Sequence, residues 1–156
     1  MKYIWLGHAS VRLEVGGEVL LIDPWETGNP TFPADQRTAA FAGATAILVT
    51  HGHSDHTNDV VALSKELGVK IYCIVELATW WGERQGADVV GFNKGGTVQI
   101  GDVAVTMVNA THSSSMQSET GAVYAGVEAG FMIEGDGKTI YISGDTDVMA
   151  DMAVLN

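Results

Sequence analysis

Ala46-Ile47-Leu48-Val49-Thr50-His51-Gly52-His53-Ser54-Asp55-His56 decides how this chain is read. Its first five residues form a short apolar, β-rich run, and its last six pack three imidazoles and a carboxylate together. Downstream, Thr57-Asn58-Asp59 precedes Val60, Val61, Leu63 and Leu67 at helical spacing. The first two histidines are two apart and the next two are three apart, so no single helix or strand face holds them all. They sit on a shaped loop between a buried strand and a helix. Neutral imidazole and carboxylate are ligands for zinc and related divalent ions. A solvated, histidine-rich turn is the plain alternative, but the chain has 5 histidines in all and three lie in this hexapeptide.

Working outward, His112 follows the alternating run Val103 to Val108, and Asp145 follows the run Thr139 to Ser143. Both stand just past the C-terminal end of a predicted strand, as the hexapeptide does, and open sheets place their sites at such ends. Together with the hexapeptide they complete a candidate shell. The N-terminal part reads as a meander of Tyr3 to Leu6, Val11 to Val15 and Val19 to Ile22, the last two joined by Gly16-Gly17. A loop runs on to Asp35, followed by the Ala46 strand, a helix to about Leu67, a strand at Val69, a helix over Glu76 to Gln85 and an edge strand at Asp88 to Phe92. Thr97 to Ile100 and Val103 to Val108 pair through Gly101-Asp102, Ala110 to Val123 reads as a loop, and Gly130 to Glu134 and Thr139 to Ser143 make a last hairpin. Asp147 to Asn156 is long enough for a short helix.

The 8 basic against 19 acidic residues give a net charge of −11, which repels phosphate backbones, so nucleic acid is not an expected partner. The single cysteine, Cys73, forms no internal disulfide, reads as a small buried hydrophobe and favours a reducing compartment. The N-terminus lacks the apolar core of a signal peptide and no run reaches the length of a membrane span, so a cytoplasmic protein without a membrane segment is expected.

With these residues in place the chain resembles the metallo-β-lactamase fold hydrolases, whose first signature is His-x-His-x-Asp-His after a strand. Trp5-Leu6-Gly7-His8-Ala9-Ser10, Leu21-Ile22-Asp23-Pro24-Trp25, Thr27-Gly28-Asn29-Pro30 and Thr111-His112-Ser113-Ser114-Ser115 are similar to the branch holding ascorbate-6-phosphate lactonase, N-acylphosphatidylethanolamine phospholipase D and uncharacterised metal-dependent hydrolases. The resemblance implies an α/β (α+β) fold, a four-layer αβ/βα sandwich whose second half is incomplete here, as a single domain over residues 1–156 lacking the family's C-terminal part. It implies two divalent ions, zinc first with manganese or iron as alternatives. His51, His53 and His112 would hold one ion, Asp55 and His56 the other, and Asp145 would bridge. The family's second ion usually takes a further late histidine, and no histidine follows His112 in this sequence.

The expected activity is hydrolysis of a small-molecule ester, lactone or phosphodiester by metal-bound hydroxide, since two cations bring the pKa of a bound water to about 7. Asp55 ligates and orients. His8, in a Gly-His turn, is a candidate catalytic group beside the ions, with a core histidine bonded to backbone as the other reading. Asp23 either orients a ligand histidine or caps the Pro24 turn, and Ser113 to Ser115 either line the substrate pocket or are solvated chain. The competing expectation is a truncated metal-binding fold with little turnover, completed by a second copy or another chain across an open sheet edge.

Overall fold

The structure, a computed structural model, describes residues 1–155; Asn156, the end of the expected C-terminal helix, lies outside the described residues. Three strands, β1 (Lys2–Trp5), β2 (Val11–Val15) and β3 (Glu18–Ile22), form the expected meander. Gly16 and Gly17 both take positive φ, 58° and 81°, the backbone that a two-residue turn between twisted strands requires. The chain then crosses over: β4 (Ala46–Leu48), β5 (Lys70–Ile74) and β6 (Val89–Phe92) add in parallel to β3, giving a six-stranded sheet in sequence order. All three residues of β4 are buried, as befits the interior of a covered parallel sheet.

Parallel strands need helical crossovers. These include α1 (Arg37–Phe41), α2 (Ser54–Thr57), α3 (Val60–Leu67) and α4 (Val75–Gln85). α3 buries Val60 and Leu63, and α4 buries Leu77, Ala78 and Trp81, against β4, β5 and β6. Each ends at a left-handed glycine, Gly68 or Gly86, where no Cβ opposes the turn. Trp81 joins the core, while Trp80 is half-buried with the Arg84 guanidinium 4.2 Å above its ring.

A second, antiparallel sheet is built from β7 (Thr97–Ile100), β8 (Val103–Asn109), β11 (Ala129–Gly135) and β12 (Lys138–Ile142), in the order β12-β11-β8-β7. Val103, Val105 and Met107 of β8 are buried while Ala104, Thr106 and Val108 are half-buried, the period of two of a one-sided strand. Phe131 and Ile133 of β11 join Leu13, Leu21, Ile47 and Ile71 of the first sheet in one core. The α/β expectation therefore holds: the described residues supply a helix layer and two sheets of the αβ/βα sandwich.

One expectation is corrected. Ala110 to Val123 is not all loop, because β9 (Ser115–Ser118) and β10 (Gly121–Tyr124) pair as a separate hairpin. Its turn is closed by Ser118 Oγ, which donates to Gly121 O at 2.8 Å and accepts from Thr120 N at 3.2 Å. Only Met116 of this ribbon is buried, so it carries no alternating apolar pattern to read. The short helix expected near the C-terminus is the 3-10 helix Ala150–Val154.

Candidate metal centre

The hexapeptide leaves β4 and changes conformation within itself. His53 is extended (φ −63°, ψ 147°), Ser54 begins the single turn α2, and His56 N and Thr57 N both donate to His53 O at 3.0 Å. The expected shaped loop thus contains one helical turn, and it folds imidazoles of unequal spacing onto one point. The His51 ring lies 4.6 Å from that of His53 and 4.1 Å from that of His56. Gly52 makes this possible through close packing: a Cβ there would meet Ala125 Cβ at 2.5 Å and Ser115 O at 3.1 Å.

His51, His53 and His112 form a first cluster in which one nitrogen from each ring lies within 4.8 Å of the other two. His51 Nε2 and His53 Nδ1 face each other at 3.0 Å, while their outer nitrogens are held by Thr50 Oγ1 at 3.0 Å and Ser113 Oγ at 3.4 Å. Two ligand atoms on one tetrahedral ion would stand roughly 3.3–3.4 Å apart, so the inward nitrogens at 3.0 Å are slightly closer than that spacing. Burial, reinforced by the neighbouring His56 charge, pushes the His51 imidazole down to about 4, so at neutral pH it is the uncharged donor a metal needs.

A second cluster gathers His8, Asp55 and His56. His56 is fully buried; its Nδ1 lies 2.9 Å from Asp23 Oδ2, and its Nε2 has no hydrogen-bond partner. That orphaned nitrogen points between Asp145 Oδ1 at 3.5 Å and Asp55 Oδ2 at 4.0 Å. Burial works against a charged His56 ring, but the Asp23 hydrogen bond and charge, with Asp145 and Asp55 behind them, outweigh it and raise its pKa. Of the two readings for Asp23, the orienting one is realised. Its Oδ1 accepts from Thr50 N at 2.8 Å and its Oδ2 from Thr50 Oγ1 at 2.6 Å, so one buried carboxylate fixes the strand end and the ring together.

His8 stands at the lip of the cluster and not in the core. Its Nε2 lies 3.3 Å from Asp55 Oδ2, and its ring meets Trp25 and His56 edge-on at 5.2 and 5.3 Å. Asp145 bridges the clusters in space: its Oδ1 faces His56 Nε2, and its Oδ2 lies 3.8 Å from His112 Nε2. The loops carrying His112 and Asp145 are laced together, Thr111 N donating to Thr146 Oγ1 and Asp147 N to Thr111 O, both at 2.9 Å. All six expected ligands and His8 converge. Of the serine run, Ser113 braces His53 and Ser114 Oγ accepts from Gly52 N at 3.0 Å. The bracing by Thr50 and Ser113 carries no signal in the sequence, because hydroxyls at loop ends are common without such a task.

The donor set suits divalent cations. Three histidines with a carboxylate form one group, two histidines with two carboxylates form the other, and a buried unpaired imidazole nitrogen is costly unless something fills the space it faces. Comparison with known proteins agrees with this chemistry. The "UPF0173 metal-dependent hydrolase" of Dinoroseobacter shibae is 66% identical over the whole chain, which spans 68% of that protein. Relatives of the same description from Cereibacter sphaeroides are 59% identical over 97% of the chain, which spans 66% of their length. Among solved structures, Igni18, a metallo hydrolase from Ignicoccus hospitalis, superposes with a TM-score of 0.82 at 28% identity, over 98% of this chain and 64% of that one. A profile of the beta-lactamase superfamily domain matches residues 19–155, from within β3 to the last described residue. With a match of that extent beside so near a relative, the family is settled: this chain belongs to the beta-lactamase superfamily.

Proposed function

We propose that this chain is a metal-dependent hydrolase that takes two divalent cations, zinc first, and cleaves an ester, lactone or phosphodiester bond in a small molecule. The observation that carries the reading is His56 Nε2, fully buried, unpartnered and aimed at two carboxylates. Bound cations supply an acidified water and a Lewis acid at such a centre. His51, His53 and His112 would hold one cation and Asp55 and His56 the other, with Asp145 placed between the two groups. Thr50, Ser113 and Asp23 brace the His51, His53 and His56 rings, so these three donors are partly oriented in advance. The half-buried Asp55 and Asp145 would ligate and orient, and not act as nucleophiles. A buried, unpaired Cys73 is consistent with work in a reducing, cytoplasmic compartment.

Metal content of the purified chain, followed by hydrolysis of p-nitrophenyl esters, lactones and bis(p-nitrophenyl) phosphate, tests this. Turnover lost to a chelator, restored by zinc and abolished in His53→Ala is the expected result. A chain with neither metal nor turnover overturns the proposal.

A further inference from the structure

We propose that His8 is itself a ligand of the second cation, completing a shell of His8, Asp55, His56 and Asp145; the inference rests on the two-cation reading above. This replaces a catalytic role beside the ions by direct ligation. His8 Nε2 stands 3.3 Å from Asp55 Oδ2, the separation two ligand atoms take on one ion, and the donor atoms of His8, Asp55 and His56 all lie within 4.8 Å of one another. The buried, unpartnered His56 Nε2 belongs to the same group.

The backbone places His8 at a cost. It takes φ 51°, a left-handed conformation uncommon outside glycine. Gly7 before it has φ 97° and packs so closely that a Cβ would meet Thr31 backbone and Oγ1 at 2.7 Å. Both polar groups of the His8 peptide are engaged by side chains: its N–H donates to Thr31 Oγ1 at 3.1 Å, and its carbonyl accepts from Trp5 Nε1 at 2.7 Å. Trp25 then meets the ring edge-on. A half-exposed His–Asp pair stabilises too little to account for this bracing or for the orphaned nitrogen beside it. A shared cation accounts for both, since it uses the carboxylate and both imidazoles at once.

The test uses the 156-residue chain labelled with 15N-histidine and titrated with 113Cd and with zinc. Two ions per chain, with the His8 Nε2 resonance split by one-bond coupling to cadmium, is expected. In His8→Asn and His8→Gly, residues that tolerate a positive φ, the first ion stays and the second binds more than about 100-fold more weakly, beyond the loss from removing an outer hydrogen-bond partner. An unsplit His8 resonance with both ions bound, or a glycine variant holding two ions at wild-type affinity, overturns the assignment. A wild-type chain that holds one ion, coupled to His51, His53 and His112, overturns it together with the two-cation count, while a hydrolase with the first site alone stands. A chain that holds none overturns both. If the variants fail to fold, the coupling in the wild-type chain decides alone.

Discussion

Replacing Asp23 by asparagine tests the orientation of His56 together with the Thr50 contacts that the same carboxylate makes. Asp23 is 1% exposed and takes φ 44°, which asparagine also tolerates, so the change adds no backbone strain. Its Oδ1 accepts from Thr50 N, and its Oδ2 faces Thr50 Oγ1 and His56 Nδ1. Asparagine keeps one acceptor for Thr50 N and presents an NH2 group where Oδ2 stood. The Thr50 hydroxyl rotates to accept. His56 Nδ1 becomes an acceptor only by shifting its proton to Nε2, the nitrogen that faces Asp55 and Asp145. Losing the charge-assisted bond costs about 1.5–3 kcal/mol of stability, read by urea unfolding of the metal-free chain. The misplaced proton and lost second shell weaken cation binding at the His56 site by about 10–100-fold, read by competition with a chromophoric chelator. An affinity within about twofold of wild type would refute the role assigned to Asp23.

Phe131 is fully buried and stacks on Phe92 at 6.2 Å, so Phe131→Ala should cost about 3–5 kcal/mol in urea unfolding; a loss under about 1 kcal/mol would contradict a core shared by the two sheets. Gly52→Ala forces a Cβ to within 2.5 Å of Ala125 Cβ, and the displaced loop should lower cation affinity about tenfold or more with about 1–3 kcal/mol of overpacking; unchanged affinity in a metal titration would show that the loop has room. Burial pushes the Cys73 thiol up to about 12 from an ordinary 9.0, so its contribution to stability is intact below pH 9 and erodes by about 1.4 kcal/mol per pH unit towards pH 12. Cys73→Ala should flatten the alkaline limb of a pH–denaturation series, and identical limbs would refute the burial argument.

The site was more legible than the scaffold around it. The hexapeptide, His112 and Asp145 could be read because imidazole and carboxylate at strand ends have a chemistry that local packing does not mimic. The meander was legible for a similar reason, since Gly16-Gly17 between apolar runs has one economical conformation. The β9–β10 ribbon stayed hidden because its pairing is made by backbone and by Ser118, with one buried side chain in eight. α2 also escaped notice: a single turn started at Ser54 leaves no periodicity. Asp23 could be read two ways because its service to His56 spans 33 residues of chain, a contact that no local pattern encodes.

Asp145 grows from the second sheet and His56 from the first, and the two meet across the seam of the sandwich. A cation seated between them would be a rivet, and prising the sheets apart and letting the ion escape would become one motion. By mass action, free metal at about one hundred times its dissociation constant adds about 2.7 kcal/mol against that opening. With such an ion bound, amide hydrogens along β4 and β11 would report metal concentration through their exchange rates, and the chain's lifetime against proteolysis would follow the supply of that ion.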